Sequence, residues 1–134
     1  MTEEELLQQP EEDYMNDQQQ ALFHQRLLLQ RHELQDRIND AFDELRKYES
    51  SSDPSDDGST EEQREAQLRL LRREEKLVEK IDRALQRLVS GEYGWCEETG
   101  EPIGLPRLLL QPTATLSFEA KEWQENLQKH LRQH

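Results

Sequence analysis

Between Asn16 and Tyr48 the chain runs without a glycine or proline, and Leu27, Leu34, Ile38, Ala41, Leu45 and Tyr48 recur at spacings of seven, four and three. That recurrence keeps one face of an α-helix apolar and reads as a heptad seam. The same register puts His24 and Arg31 on the seam, so the start of the helix is expected to bury a different stripe, for which Leu22, Phe23 and Leu28 are at hand. The pattern breaks over 50–60, where Pro54 and Gly58 stand among Ser and Asp side chains that compete with the backbone for hydrogen bonds. A second helical run is predicted over 61–90, capped by Ser59 or Thr60, with Glu61 and Glu62 favouring its positive end. Its apolar positions Leu71, Val78, Ile81, Leu85 and Leu88 keep the spacing of the first run. Two long helices joined by a short turn pair antiparallel, which predicts a coiled-coil hairpin over 16–90 with its tip at 50–60. Residues 1–15 are acidic with little periodicity and read as a flexible or loosely docked arm.

The pattern changes at Gly91. Gly91, Gly94, Gly100 and Gly104 fall within fourteen positions, beside Pro102 and Pro106. A compact, turn-rich unit is expected there, with Tyr93, Trp95, Ile103, Leu105 and Leu108–Leu110 as its apolar content. After Pro112 a last helix is predicted from an N-cap at Ser117, with Glu119 in its first turn, running through Trp123 and Leu127. The organisation is therefore an arm (1–15), a hairpin (16–90) and a C-terminal unit (91–134), in a mainly α chain.

Composition narrows the function classes. Of 134 residues, 32% are apolar and 35% charged, too polar a mixture for a thick core. Thirty acidic against seventeen basic residues leave a net charge of −13. That charge repels phosphate backbones, so no direct DNA binding is expected, and a partner with a positive surface fits better. No apolar run approaches the ~20 residues that a bilayer requires. The acidic N-terminal stretch has no basic and apolar leader pattern, and the one cysteine, Cys96, cannot form an internal disulfide. A cytoplasmic location is expected.

Three places could hold chemistry. The predicted tip gathers Glu49, Asp53, Asp56, Asp57, Glu61 and Glu62 with no basic residue among them. Such a cluster suits contact with basic groups or a cation, but its residue types are also those of any solvated turn. An EF-hand does not fit its length or ligand spacing. The segment Trp95-Cys96-Glu-Glu-Thr99-Gly100 has the outline of a C-x-x-C-G turn with its second cysteine missing. One thiol cannot make a tetrahedral zinc site, and His24, His32, His130 and His134 lie far off in sequence. No basic neighbour in sequence activates Cys96, which reads as a packed or partly exposed thiol. Between Glu61 and Glu92 eight positive charges balance eight negative ones, giving a solvated helix surface rather than a phosphate site. No phosphate loop, HExxH or GxSxG is present, and the chain is expected not to be an enzyme.

Taken in order, Glu12-Asp-Tyr-Met-Asn16, Asp53-Pro-Ser-Asp56, Gly91-Glu-Tyr-Gly-Trp-Cys96 and Pro112-Thr-Ala-Thr-Leu116 resemble the DksA/TraR family of bacterial transcription factors. The resemblance covers nearly the whole chain. It implies a long antiparallel coiled-coil hairpin plus a small globular unit with a zinc-ribbon-like knuckle and a C-terminal helix. The family's ribbon pattern, C-x2-C-x17-C-x2-C, falls on Cys96, Thr99, Ser117 and Ala120, of which only the first is cysteine. The chain thus looks like a zinc-independent branch with a degenerate motif. Its knuckle is then expected to be held by Tyr93, Trp95, Ile103, Leu109 and Phe118, with Gly100 keeping the turn.

The resemblance also implies a monomer that binds RNA polymerase through the secondary channel and destabilises open promoter complexes with two tip aspartates, here Asp53 and Asp56. Gly58 stands where the family usually has alanine. The alarmone guanosine tetraphosphate (ppGpp) is implied as a co-effector, at positions matching Leu77, Lys80, Gln111 and Lys121. Lys80 and Lys121 can pair with phosphate, while Gln111 replaces an arginine. Arg73 and Arg107 match further basic positions facing the polymerase. Two other classes remain open on the residues alone: a Gre-like transcript-cleavage factor whose acidic tip delivers a metal, and a generic coiled-coil adaptor with an inert turn.

Overall fold

The computed structural model describes residues 1–50 and 57–132. Its helices are α1 (Glu3–Leu7), α2 (Asp17–Ser50), α3 (Asp57–Ser90), α4 (Leu105–Leu110) and α5 (Phe118–Arg132), with a 3-10 turn over Glu11–Asp13. Among the described residues the only β element is an isolated antiparallel bridge between Trp95 and Pro102. No described helix is long and apolar enough to cross a membrane. The chain forms two compact units, Leu28–Asp82 and Met1–Leu27 with Arg83–His134.

In the unit of 28–82, α2 and α3 run antiparallel. Arg31 pairs with Asp82 at 2.7 Å, Arg37 approaches Glu74 at 3.8 Å, and the Tyr48 hydroxyl donates to Gln63 at 3.3 Å. Residue numbers rise on one arm as they fall on the other. Ile38, Ala41, Leu45 and Leu71 are buried together, with Leu68 and Val78 packed against them, and Leu34 and Ile81 are buried too. The predicted seam is the observed one, because a helix with apolar residues at heptad spacing gains most by turning that face to another such helix. The spacing of Leu71, Val78 and Ile81 leaves one seam position, and it holds Glu74, only 8% exposed.

Two boundaries differ from expectation. α3 begins at Asp57, not near Glu61, so Ser59 and Thr60 lie inside its first turn instead of capping it. Extending an existing helix needs no new nucleus, which lets it run back through Gly58. At the start of α2, Phe23 is fully buried as expected and Leu22 half-buried, but Leu28 is exposed. The buried stripe there is Gln19, Phe23 and Leu27, one helical turn apart.

In the other unit, the N-terminal segment is not loosely held. Thr2 and Glu5 form a capping box on α1, Leu6 is fully buried, and α1 packs against α4. Glu3 pairs with Arg26 of α2 at 2.8 Å, and the Asn16 side chain caps α2 by accepting the Gln19 N–H. The turn-rich stretch contains α4, a short helix not expected from sequence, with Leu108 fully buried. Tyr93 and Ile103 are buried as expected, while Trp95 and Leu109 are half-buried. Phe118 is 63% exposed and does not hold the knuckle; Cys96, Leu108, Ala114 and Leu116 take that place. The last helix begins as predicted, with the Ser117 hydroxyl accepting the Ala120 N–H at 3.2 Å.

Candidate functional site

The knuckle brings Cys96, Thr99 and Ser117 into hydrogen-bond contact, and Ser117 in turn holds the Ala120 amide. Cys96 sits at the head of a tight turn: its N–H donates to the Glu101 carbonyl (2.8 Å) and its carbonyl accepts from Gly100 (2.9 Å). The next residue crosses to the other limb, where the Glu97 N–H donates to the Thr115 carbonyl (2.9 Å). Burial of Cys96 raises its thiol pKa, but hydrogen bonds from the side chains and backbones of Thr99 and Ser117 outweigh this and lower it to about 6. No basic residue is needed. The activating groups come from a position twenty-one residues downstream as well as from the turn, which sequence spacing alone did not show.

This donor set does not fit zinc. It offers one thiolate, two neutral hydroxyls and the methyl of Ala120 where a structural site needs four sulfur or nitrogen ligands. Among the described residues no group of three or more His, Cys, Asp or Glu converges elsewhere.

Arg87, near the end of α3, ties the helix to the knuckle. Its guanidinium donates to the carbonyls of Glu92 (3.0 Å) and Trp95 (2.8 Å) and pairs with the Glu97 carboxylate at 3.1 Å. One planar fork thus satisfies several acceptors as the helix stops. Sequence reasoning missed this residue, since it counted only as one more charge on a balanced helix. Tyr93 donates its hydroxyl to the Pro112 carbonyl at 2.7 Å, its ring 5.6 Å from that of Phe23. Burial, then the nearby Tyr14, holds its phenol well above the usual value.

The residues matched to a polymerase or alarmone surface fall in both units. On α3, Arg73, Leu77 and Lys80 are exposed, and spacings of four and three put them on one helix face. In the other unit, Gln111 at the end of α4 and Lys121 in α5 are exposed. Arg107 is half-buried and donates from Nε to the Leu116 carbonyl at 2.9 Å, so it also braces the knuckle. Gly58 lies in the first turn of α3. Asp53 and Asp56 lie outside the described residues.

Residues 19–88 match the family model for the DnaK suppressor protein DksA, N-terminal domain. The chain belongs to the DksA/TraR family. Residues 91–125 match the prokaryotic dksA/traR C4-type zinc finger, although the chain holds a single cysteine, Cys96, where a C4 finger has four. The chain is 44% identical, over 89% of its length and 84% of the relative's, to the RNA polymerase-binding transcription factor DksA of Caulobacter vibrioides. It is 33% identical to the protein of that name in Escherichia coli K12, over 92% and 83% of the two lengths. Among solved structures it is similar to that of transcription factor DksA2 from Pseudomonas aeruginosa, with 60% identity and a TM-score of 0.91 over 96% of this chain and 100% of that one.

Proposed function

We propose that this chain is a non-enzymatic bacterial transcription regulator that binds RNA polymerase through its secondary channel. In this reading the hairpin carries Asp53 and Asp56, with Gly58 beside them, to the neighbourhood of the polymerase active site and alters the stability of open promoter complexes. The observation that carries it is the likeness, across nearly the full length of both chains, to RNA polymerase-binding transcription factors DksA. The antiparallel arms support it physically. A helix of 34 residues spans about 50 Å, a length that suits reach along a channel.

Arg73 and Arg107 face the polymerase, and Leu77, Lys80, Gln111 and Lys121 take ppGpp at the interface. Lys80 and Lys121 supply charge for its phosphates. The protein works as a monomer in the cytoplasm, makes no sequence-specific DNA contact, and needs no structural zinc. The hydrogen bonds around Cys96 and the apolar residues beneath them support that last point, since they do locally what metal–ligand bonds do in a four-cysteine finger.

The test is binding of the purified protein to bacterial RNA polymerase core enzyme, in competition with a factor known to occupy the secondary channel, with the metal content of the protein measured alongside. The reading expects mutually exclusive binding and substoichiometric zinc without loss of fold. Simultaneous binding of both factors contradicts the channel assignment, and one tightly held zinc per chain contradicts the metal-free knuckle.

A further inference from the structure

Tyr14 links the N-terminal segment to the knuckle and to the entry of α4. Tyr14 donates its hydroxyl hydrogen to the Gly94 carbonyl at 2.6 Å and accepts the Gly104 N–H at 3.0 Å, spanning 80 and 90 residues of sequence. The Gly94 carbonyl also accepts the Ile103 N–H at 2.8 Å, so one hydroxyl closes a node joining both limbs of the knuckle. Gly104 is the residue at which α4 starts. Its φ of 102° favours glycine, which has no side chain to cap the helix, and no other side chain does so.

The node is closely fitted. The Tyr14 ring stands edge-on to Trp95 at 5.2 Å. Met15, buried at a φ of 57°, lies against Gly94 so tightly that a Cβ there would meet its Cγ and Sδ at 2.8 Å. The Met15 backbone is held from both sides, its N–H donating to Gln19 Oε1 at 2.8 Å and its carbonyl accepting from Gln20 Nε2 at 2.6 Å. Holding a methionine in the left-handed region has a cost that surrounding contacts must offset. Meanwhile α1 lies on α4, with Leu6 and Leu108 both fully buried. A six-residue helix is too short to be stable by itself, so contacts from outside decide whether and where it forms.

α4 carries Arg107 and ends beside Gln111, two of the residues assigned to the polymerase and alarmone surface. We infer that Tyr14 and Leu6 are positioning residues that set the orientation of α4 and hence of Arg107 and Gln111. The inference rests on the proposed binding to RNA polymerase for its consequence and on the fold alone for its mechanism. A factor whose α4 is oriented only part of the time binds with an affinity reduced by that fraction, while its maximal effect once bound is unchanged.

The experiment pairs native-state amide exchange with polymerase titration. In the wild-type protein the Gly104 and Leu108 amides are expected to exchange through the same opening as the Leu6 and Asp13 amides. Independent exchange of the two sets overturns the inference without any variant being made. Tyr14→Phe, which keeps the ring and removes the hydroxyl, is expected to speed Gly104 exchange about tenfold. It should also shift the Arg107 and Gln111 amide resonances at a temperature where the protein stays folded. Against core polymerase it should weaken binding several-fold with the plateau of transcriptional effect retained, and Leu6→Ala should do the same. Unmoved Arg107 and Gln111 resonances, or a lowered plateau at unchanged affinity, overturn it. If the wild type fails to bind polymerase while the arm and α4 still exchange together, the functional proposal fails and the positioning role in the fold stands.

Discussion

Cys96 shows how a single residue's chemistry is set by partners distant in sequence. From the ordinary thiol value of 9.0, burial pushes its pKa up, but the hydrogen bonds of Thr99 and Ser117 act against burial and lower it to about 6 in the fold. A depressed folded-state pKa adds stability that is fully present above the unfolded value and is lost as the pH falls through the folded one. The contribution is therefore complete above about pH 9, shrinks between pH 9 and pH 6, and is absent below that range. Urea unfolding of the wild type and Cys96→Ala should show a gap that widens with pH, by up to about 1.4 kcal/mol per unit between those limits. A gap that does not change with pH would mean that Cys96 acts only by packing. Also at this scale, Gln111 is exposed where the family resemblance implies an arginine, so Gln111→Arg should fold normally. It is expected to lower the ppGpp concentration for half-maximal effect about tenfold, the scale of one added charge-assisted phosphate contact. No change in ppGpp response would remove this position from the alarmone surface.

At the scale of elements, the exception in the seam is the informative one. The Glu74 Oε2 atom is buried and has no hydrogen-bond partner, and Arg37 at 3.8 Å is too far to supply one. Replacing such a group by an apolar residue of similar size is expected to stabilise the arms, so Glu74→Leu should raise hairpin stability by about 1–2 kcal/mol in denaturant unfolding. A loss of stability would show that the Arg37 contact outweighs the burial.

The hairpin was legible in the sequence because heptad spacing persists over many turns, and long periodic helices write themselves clearly. α1 and α4 were not, since five or six residues are too few for a period. The capping pair of Thr2 and Glu5 was a usable sign for α1. In α4, Pro106 and the glycines around it read as part of a turn-rich unit, with Leu108–Leu110 only as its apolar content. Phe118 was misplaced because apolar character does not say which side of a helix start faces inward. Asp53, Asp56 and Cys96 stand out by residue type, and the other site residues follow from family resemblance; the hydrogen bonds of the knuckle, and the roles of Arg87 and Tyr14, depend on contacts between segments that no local pattern encodes.

At the scale of the molecule, an acidic chain of net charge −13 has to find its partner through a positive surface, so its association with polymerase should slow and weaken as salt is raised. In the proposed reading docking and action fall to different parts: Arg73, Leu77, Lys80, Arg107, Gln111 and Lys121 would hold the partner, and the tip aspartates would perturb it. This division makes the double variant Asp53→Asn, Asp56→Asn the most direct test. The measurement is the lifetime of an open promoter complex, with wild-type or variant protein at concentrations that give equal occupancy of polymerase. The account predicts that wild type shortens the lifetime several-fold and that the variant, though bound, leaves it unchanged. A variant that shortens the lifetime as well as the wild type does would contradict it.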